Sequence, residues 1–147
     1  MNKLRVVRRM LRAARDVVAL VEQAAAAAGL TAAEVDVLGA VAERAPCPVG
    51  EIAGETGYKP STLTSVLDRL AARGWVSRAL SADDRRSFVV DLTPEGRRAA
   101  RQLGSRLAAL ERAVRREVPR ADLEALAALP ARLGGLGLDG LAKPARS

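Results

Sequence analysis

The sequence runs to 147 residues, about the length of one domain, with 49% apolar and 2% aromatic residues. A formal charge of +7 and a pI near 10.9 suit an anionic partner. With Cys47 the sole cysteine, no histidine and no apolar run of ~18 residues, the composition excludes an intrachain disulfide, the usual zinc ligand sets and a simple membrane-spanning helix.

From residue 1 to 30, Leu4, Val7, Leu11, Ala14, Val18, Val21 and Ala25 alternate spacings of three and four, a narrow seam that wants a partner helix. The opening MNKLRVVRRM continues into this amphipathic helix and not into a signal peptide's apolar core, so a cytoplasmic protein is expected. Gly29 stops the helix, Thr31 and Glu34 form a capping box, and Leu30 can staple to Val35. A second helix over Ala32 to about Arg44 should be buried through Val35, Leu38, Val41 and Ala42, and residues 45–48 read as a proline loop.

Residues 48–92 hold two short helical patterns and a charged hairpin. Val49, Ile52 and Ala53 mark the inner face of a first helix, Gly57 and Tyr58 the turn, and Leu63, Val66, Leu67 and Leu70 the inner face of a second. Pro60 fits the second helix's first turn, and Gly74 its end. Its outward side carries Ser61, Thr62, Thr64, Ser65, Asp68, Arg69 and Arg73, small hydroxyls first and guanidinium groups further along, as suits a helix entering a major groove by its N-terminus. Trp75 to Leu80 then runs out, SADDRR turns, and Ser87 to Leu92 runs back, with Val76, Phe88, Val90 and Leu92 as the apolar side. This segment has six basic and six acidic residues, so the positive surplus lies in the flanking helices, where it reads mainly as solvated faces. Thr93, Pro94 and Glu95 restart a helix that continues through Leu103, Leu107, Leu110 and Val114. A last helix from near Ala121 should bury Leu123, Leu126 and Leu129 and be kinked or ended by Pro130, before a glycine-rich tail.

Leu67-Asp68-Arg69-Leu70, Gly74, Asp84-Arg85-Arg86 and Leu92-Thr93-Pro94-Glu95-Gly96 together resemble the winged-helix core of the MarR family of bacterial transcription regulators, and the likeness in helix order extends over nearly the whole chain. The expected fold is therefore mainly α with a small antiparallel β wing: a winged helix-turn-helix over 31–92, flanked by N-terminal (1–30) and C-terminal (93–147) dimerisation helices, as a single structural unit. The resemblance implies a homodimer that binds double-stranded DNA at a pseudo-palindromic operator, as a repressor answering to a small amphipathic or phenolic effector. Its two recognition helices would lie roughly 34 Å apart, with the wings in flanking minor grooves.

On this reading Lys59, Arg73 and Arg85 contact phosphates, Thr62, Thr64, Ser65 and Arg69 supply base readout, and Ser61 stands with them among the DNA-binding residues. Arg86 reaches the minor groove, held by Asp84 two residues before it or by Asp68. The family often has Arg where this chain has Ser65, which shifts readout toward shape and the wing. Cys47 lies outside the first helix, where peroxide-sensing relatives carry their reactive cysteine, and reads as packing; Tyr58 and Trp75 read as core before pocket. No histidine base, nucleophile elbow or phosphate loop points to an enzyme, and no metal or cofactor is expected. The rival is a winged-helix protein-protein interaction module, favoured by the neutral core; steep salt dependence of binding separates the two.

Overall fold

A computed structural model of the chain describes residues 5–82 and 87–134. The seam at the start forms α1 (Arg5–Ala25), which tightens into a 3-10 turn over Ala26–Ala28 and ends at Gly29, whose φ of 62° lies in the left-handed region. Thr31 Oγ1 then accepts from Glu34 N–H at 3.3 Å, while the Glu34 carboxylate accepts from Thr31 N–H at 2.9 Å. That reciprocal cap starts α2 (Ala32–Arg44). Next come β1 (Cys47–Pro48), α3 (Val49–Thr56), α4 (Pro60–Ala72), β2 (Val76–Leu80) and β3 (Phe88–Leu92). The order closes with α5 (Pro94–Glu117) and α6 (Arg120–Gly134).

Helix α4 ends in a full reciprocal cap. Trp75 N–H reaches the Leu70 carbonyl at 3.1 Å and Gly74 N–H the Ala71 carbonyl at 2.8 Å, with Gly74 at φ 71°. The chain therefore leaves the helix directly into β2. After β3, Thr93 Oγ1 accepts from Gly96 N–H at 2.9 Å and donates to the Gly74 carbonyl at 2.6 Å. One hydroxyl thus caps α5 and fastens it to the end of α4.

The core lies where α2, α3 and α4 meet the sheet: Leu38, Val41, Ile52, Leu63, Val66, Leu67, Leu70, Val76, Val90 and Leu92 are all buried. Removing each large aliphatic side chain from water contributes about 1.5–3 kcal/mol, so these helices are fixed mainly by their inner faces. Helix α2 packs on α1, α3 and α4 at once and needs a broader buried face than a single stripe. For that reason Val37 and Ala40 are buried, whereas Ala42, expected inside, is exposed.

The sheet has three strands in the order β1-β3-β2, all antiparallel, where the sequence reading has two strands and a loop at 45–48. Pro46 and Pro48 conceal the extra strand because neither offers an N–H, and such residues are tolerated at a sheet edge. Between them Cys47 lies opposite Val90 and is buried. Along β2 and β3 the register runs from Val76 opposite Leu92 to Leu80 opposite Phe88. Phe88, expected on the buried side, is 50% exposed, because its end of the ladder extends past the helical core.

The chain divides into two compact units, Met1–Leu110 and Glu111–Ser147. In the first, α1 buries only Ala25, and Val7, Leu11 and Val18 of the predicted seam are exposed, as are Val6, Met10, Val17 and Leu20. In the second, α6 begins at Arg120 and runs through Pro130 to Gly134 without stopping there. None of its residues is buried: Leu123 and Leu129 are half-buried and Leu126 is exposed, against the expected burial of all three. The expectations for Leu136, Leu138, Leu141 and the tail fall outside the described residues. No single helix among the described residues is long and apolar enough to cross a membrane.

Candidate nucleic-acid interface

Leu63, Val66, Leu67 and Leu70 are each no more than 1% exposed, which fixes the rotation of α4 about its axis. That rotation leaves Ser61, Thr62, Thr64, Ser65, Asp68, Arg69 and Arg73 on the open side, as the spacing predicts. Lys59 is the N-cap residue and makes no side-chain cap, and Pro60 occupies the first turn. The leading end therefore joins a lysine, four hydroxyls and the positive end of the helix dipole, a combination suited to phosphate and base edges.

The two arginines further along have partners within the chain. Arg69 Nε donates to Glu34 Oε1 at 3.0 Å, and its Nη1 donates to Ser65 Oγ at 2.9 Å. Arg73 Nη1 and Nη2 donate to the carbonyls of Ala28 and Gly29 at 3.0 and 2.8 Å, and its guanidinium carbon stands 5.2 Å from the centre of the Trp75 ring. Consecutive residues on a helix point about 100° apart. Accordingly Asp68, beside Arg69, leans the other way and accepts from Arg78 Nη2 of β2 at 2.8 Å. Arg78 also donates to the Thr64 carbonyl at 3.2 Å. The helix is thus braced on one flank by α2 and on the other by the sheet.

Two of these residues escaped the sequence reading. Glu34 is legible as half of a capping box, but its burial and its pairing with a residue 35 positions away are tertiary facts. Arg78 carries no local signal beyond its charge. Asp68 pairs with Arg78 of β2, a partner the sequence does not suggest; Asp84, Arg85 and Arg86 lie outside the described residues, and so does the expected pairing of Arg86 with Asp84 or Asp68.

Burial raises the cost of charging Glu34, yet hydrogen bonds from Thr31 N–H, Arg69 and the Thr31 hydroxyl, with the attraction of Arg69, outweigh it and hold the carboxyl below its ordinary value. Burial pushes the Cys47 thiol up, and the nearby Glu51 carboxylate adds to this against Arg44, the opposite of what a reactive thiolate needs. Tyr58 bonds Asp36 of α2, and burial raises both groups. Among the described residues no cluster of three or more Cys, Asp or Glu is placed to hold a metal ion.

Within the first unit a cleft of about 510 Å³ opens between the α1 end and α5. Ala25, Ala28, Leu30 and Leu103 give it apolar walls, Trp75 an aromatic one, and Gln102, Ser105 and Arg106 polar groups. That mixture and size suit a small amphipathic molecule. Trp75, read first as core, therefore serves both.

Comparison with known proteins places this geometry. Residues 28–87 match the model of the MarR family. The HTH-type transcriptional repressor MdtR of Bacillus subtilis is 35% identical over 68 residues, 46% of this chain and 44% of MdtR. The chain spans less than half the length of the curated relatives it matches. Among solved structures, BpsR of Bordetella bronchiseptica, whose DNA binding is regulated by 6-hydroxynicotinic acid, is 25% identical with a TM-score of 0.75, covering 90% of this chain and 94% of BpsR. CouR of Rhodococcus jostii RHA1 bound to p-coumaroyl-CoA is 25% identical with a TM-score of 0.73, covering 87% and 90%. The repressor CouR bound to a 23-mer DNA duplex gives 27% and 0.70, covering 85% and 89%.

Proposed function

This chain belongs to the MarR family of transcription regulators, and we propose that it acts as a homodimeric repressor at a pseudo-palindromic operator, released by a small amphipathic or phenolic effector. The observation that carries the proposal is the leading end of α4, where Lys59, Ser61, Thr62, Thr64 and Ser65 stand exposed on a helix whose rotation is fixed by four buried side chains. Lys59 and the first-turn N–H groups take phosphates, while the hydroxyls take base edges. Arg85 and Arg86, with Asp84, act from the wing, which supplies phosphate and minor-groove contacts. Arg69 and Arg73 hold the helix more than they touch DNA, because two nitrogens of each guanidinium are already bonded within the chain and fix its direction.

The effector reading is supported by the mixed lining of the cleft and by the small molecules named with BpsR and CouR. The dimer reading is supported by the uncovered aliphatic side chains of α1. Selecting duplexes from a random pool with the purified protein tests the whole. The expected product is an inverted repeat with half-sites about one helical turn apart, bound with an affinity that falls steeply as salt rises. Enrichment of no duplex, or binding of a partner that ignores salt, overturns the operator reading in favour of a protein-interaction module.

A further inference from the structure

Arg73 is placed where a phosphate contact would be useful, yet its guanidinium turns away from the leading end of α4. Two of its nitrogens grip the adjacent carbonyls of Ala28 and Gly29, the C-terminal end of the first helical segment. Those carbonyls are exposed helix-end acceptors that α1 cannot satisfy, and a planar, always-charged fork fits two of them at once. The same guanidinium covers the Trp75 ring. Ala28 and Trp75 in turn form part of the cleft wall. Three things therefore meet at one side chain: the end of the recognition helix, the end of α1, and the surface that a molecule in the cleft touches.

We propose that Arg73 is a positioning residue for DNA recognition, one that sets the angle of α4 from the end of α1 and ties that angle to the state of the cleft wall. This rests on the operator reading above. A shift of Ala28 bends or lengthens one arm of the fork and a shift of Trp75 disturbs the ring contact beneath it, and each weakens the hold of Arg73 on the end of α1. Helix α4 is then held by Arg69 and Arg78, both of which act nearer its middle. The tie between the end of α4 and the end of α1 is then lost, although the cap at Gly74 and the buried Leu70 still seat the helix on the core, and the small change in its angle shifts the hydroxyls at the other end against the bases.

A phosphate contact and a positioning contact differ in their salt signature, which makes the proposal testable. Arg73→Gln and Arg73→Lys are titrated, beside wild type, against a selected operator duplex and a scrambled duplex over a range of salt. Loss of a phosphate contact lowers the slope of log affinity against log salt by about 0.9 and weakens both duplexes in parallel, and a lysine largely restores it. A positioning role predicts instead that Arg73→Gln loses about tenfold or more on the operator, with the salt slope and the scrambled-duplex affinity as in wild type. Arg73→Lys, which keeps the charge but not the fork, also loses operator affinity. If Arg73→Gln does not fold, the lysine variant decides alone: operator affinity equal to wild type overturns the proposal. A reduced slope with parallel loss, or no change in either variant, overturns it too and leaves the operator reading standing. A wild-type protein that enriches no duplex overturns both.

Discussion

At Gly96 the space available is decided by backbone, not by side chains. A Cβ built there would stand 1.9 Å from the Trp75 carbonyl oxygen and 2.7 Å from its carbon, so the first turn of α5 can lie against Trp75 only without a side chain. Gly96→Ala is expected to destabilise the fold by about 1–3 kcal/mol, the range for an overpacked contact, and to lower the melting midpoint accordingly. An unchanged midpoint would refute the close approach. Glu34 gives a second test. Its folded pKa lies below the ordinary 4.5, so its contribution to stability is complete above that pH and is lost as pH falls through the folded value. Thermal melts taken downward through that region should show Arg69→Ala already weakened at neutral pH, by about 1–3 kcal/mol, because a buried carboxylate has lost a partner. Wild type should then lose more on acidification than the variant does. Neither residue's neighbours were legible in the sequence. Gly96 stands out only as part of a restart motif, and Glu34 only as a cap, because the atoms that constrain them come from Trp75, just before β2, and from Arg69 of α4.

The helices were readable where a cap or a breaker sits beside them in the chain. As caps and breakers, Gly29, Thr31, Glu34, Gly57, Pro60, Gly74 and Thr93 each work on backbone within five positions, and the corresponding helix ends agree with the spacing, whereas the longer-range bonds of Glu34 and Thr93 carry no such signal. Strand β1 was not readable, since two residues flanked by prolines become a strand only when β3 is there to pair with them. The same limit applied to the outer face of α4, where a shared list of exposed side chains concealed different roles. Asp68 and Arg78 make the clearest prediction at this scale. Their bridge joins β2 to α4, so on the proposed reading Asp68→Asn should weaken operator binding although it removes a negative charge from the exposed face of α4. Competition titrations at fixed salt measure it, and tighter binding by Asp68→Asn would show that the carboxylate acts only by repulsion.

At the scale of the molecule, α1 stands out because the described residues leave most of its aliphatic side chains uncovered. Val7, Leu11, Val17 and Val18 are exposed along a helix of 21 residues, as are Val6, Met10 and Leu20, and a contiguous apolar face of this kind marks an interaction surface. A second copy, related by two-fold symmetry, is the economical cover, and it would place two α4 helices on one duplex. Sedimentation of wild type should give a dimer, and Leu11→Glu combined with Val18→Glu should give a monomer with operator affinity reduced at least 100-fold, roughly the loss of one half-site's contribution. A monomeric wild type, or a charged variant that still sediments as a dimer, would refute this role for α1. The seam was legible as a pattern, but a pattern alone does not say whether it is covered from within the chain.

Trp75 is the chain's sole indole, and it lies beneath a guanidinium at the edge of the cleft. The protein consequently carries its own fluorophore, with no competing tryptophan to dilute the signal. Its emission wavelength and its quenching by iodide should change when a small molecule enters the cleft, and change separately when a duplex pulls on α4. A purified sample can therefore be screened for effectors without a label, before any operator is known.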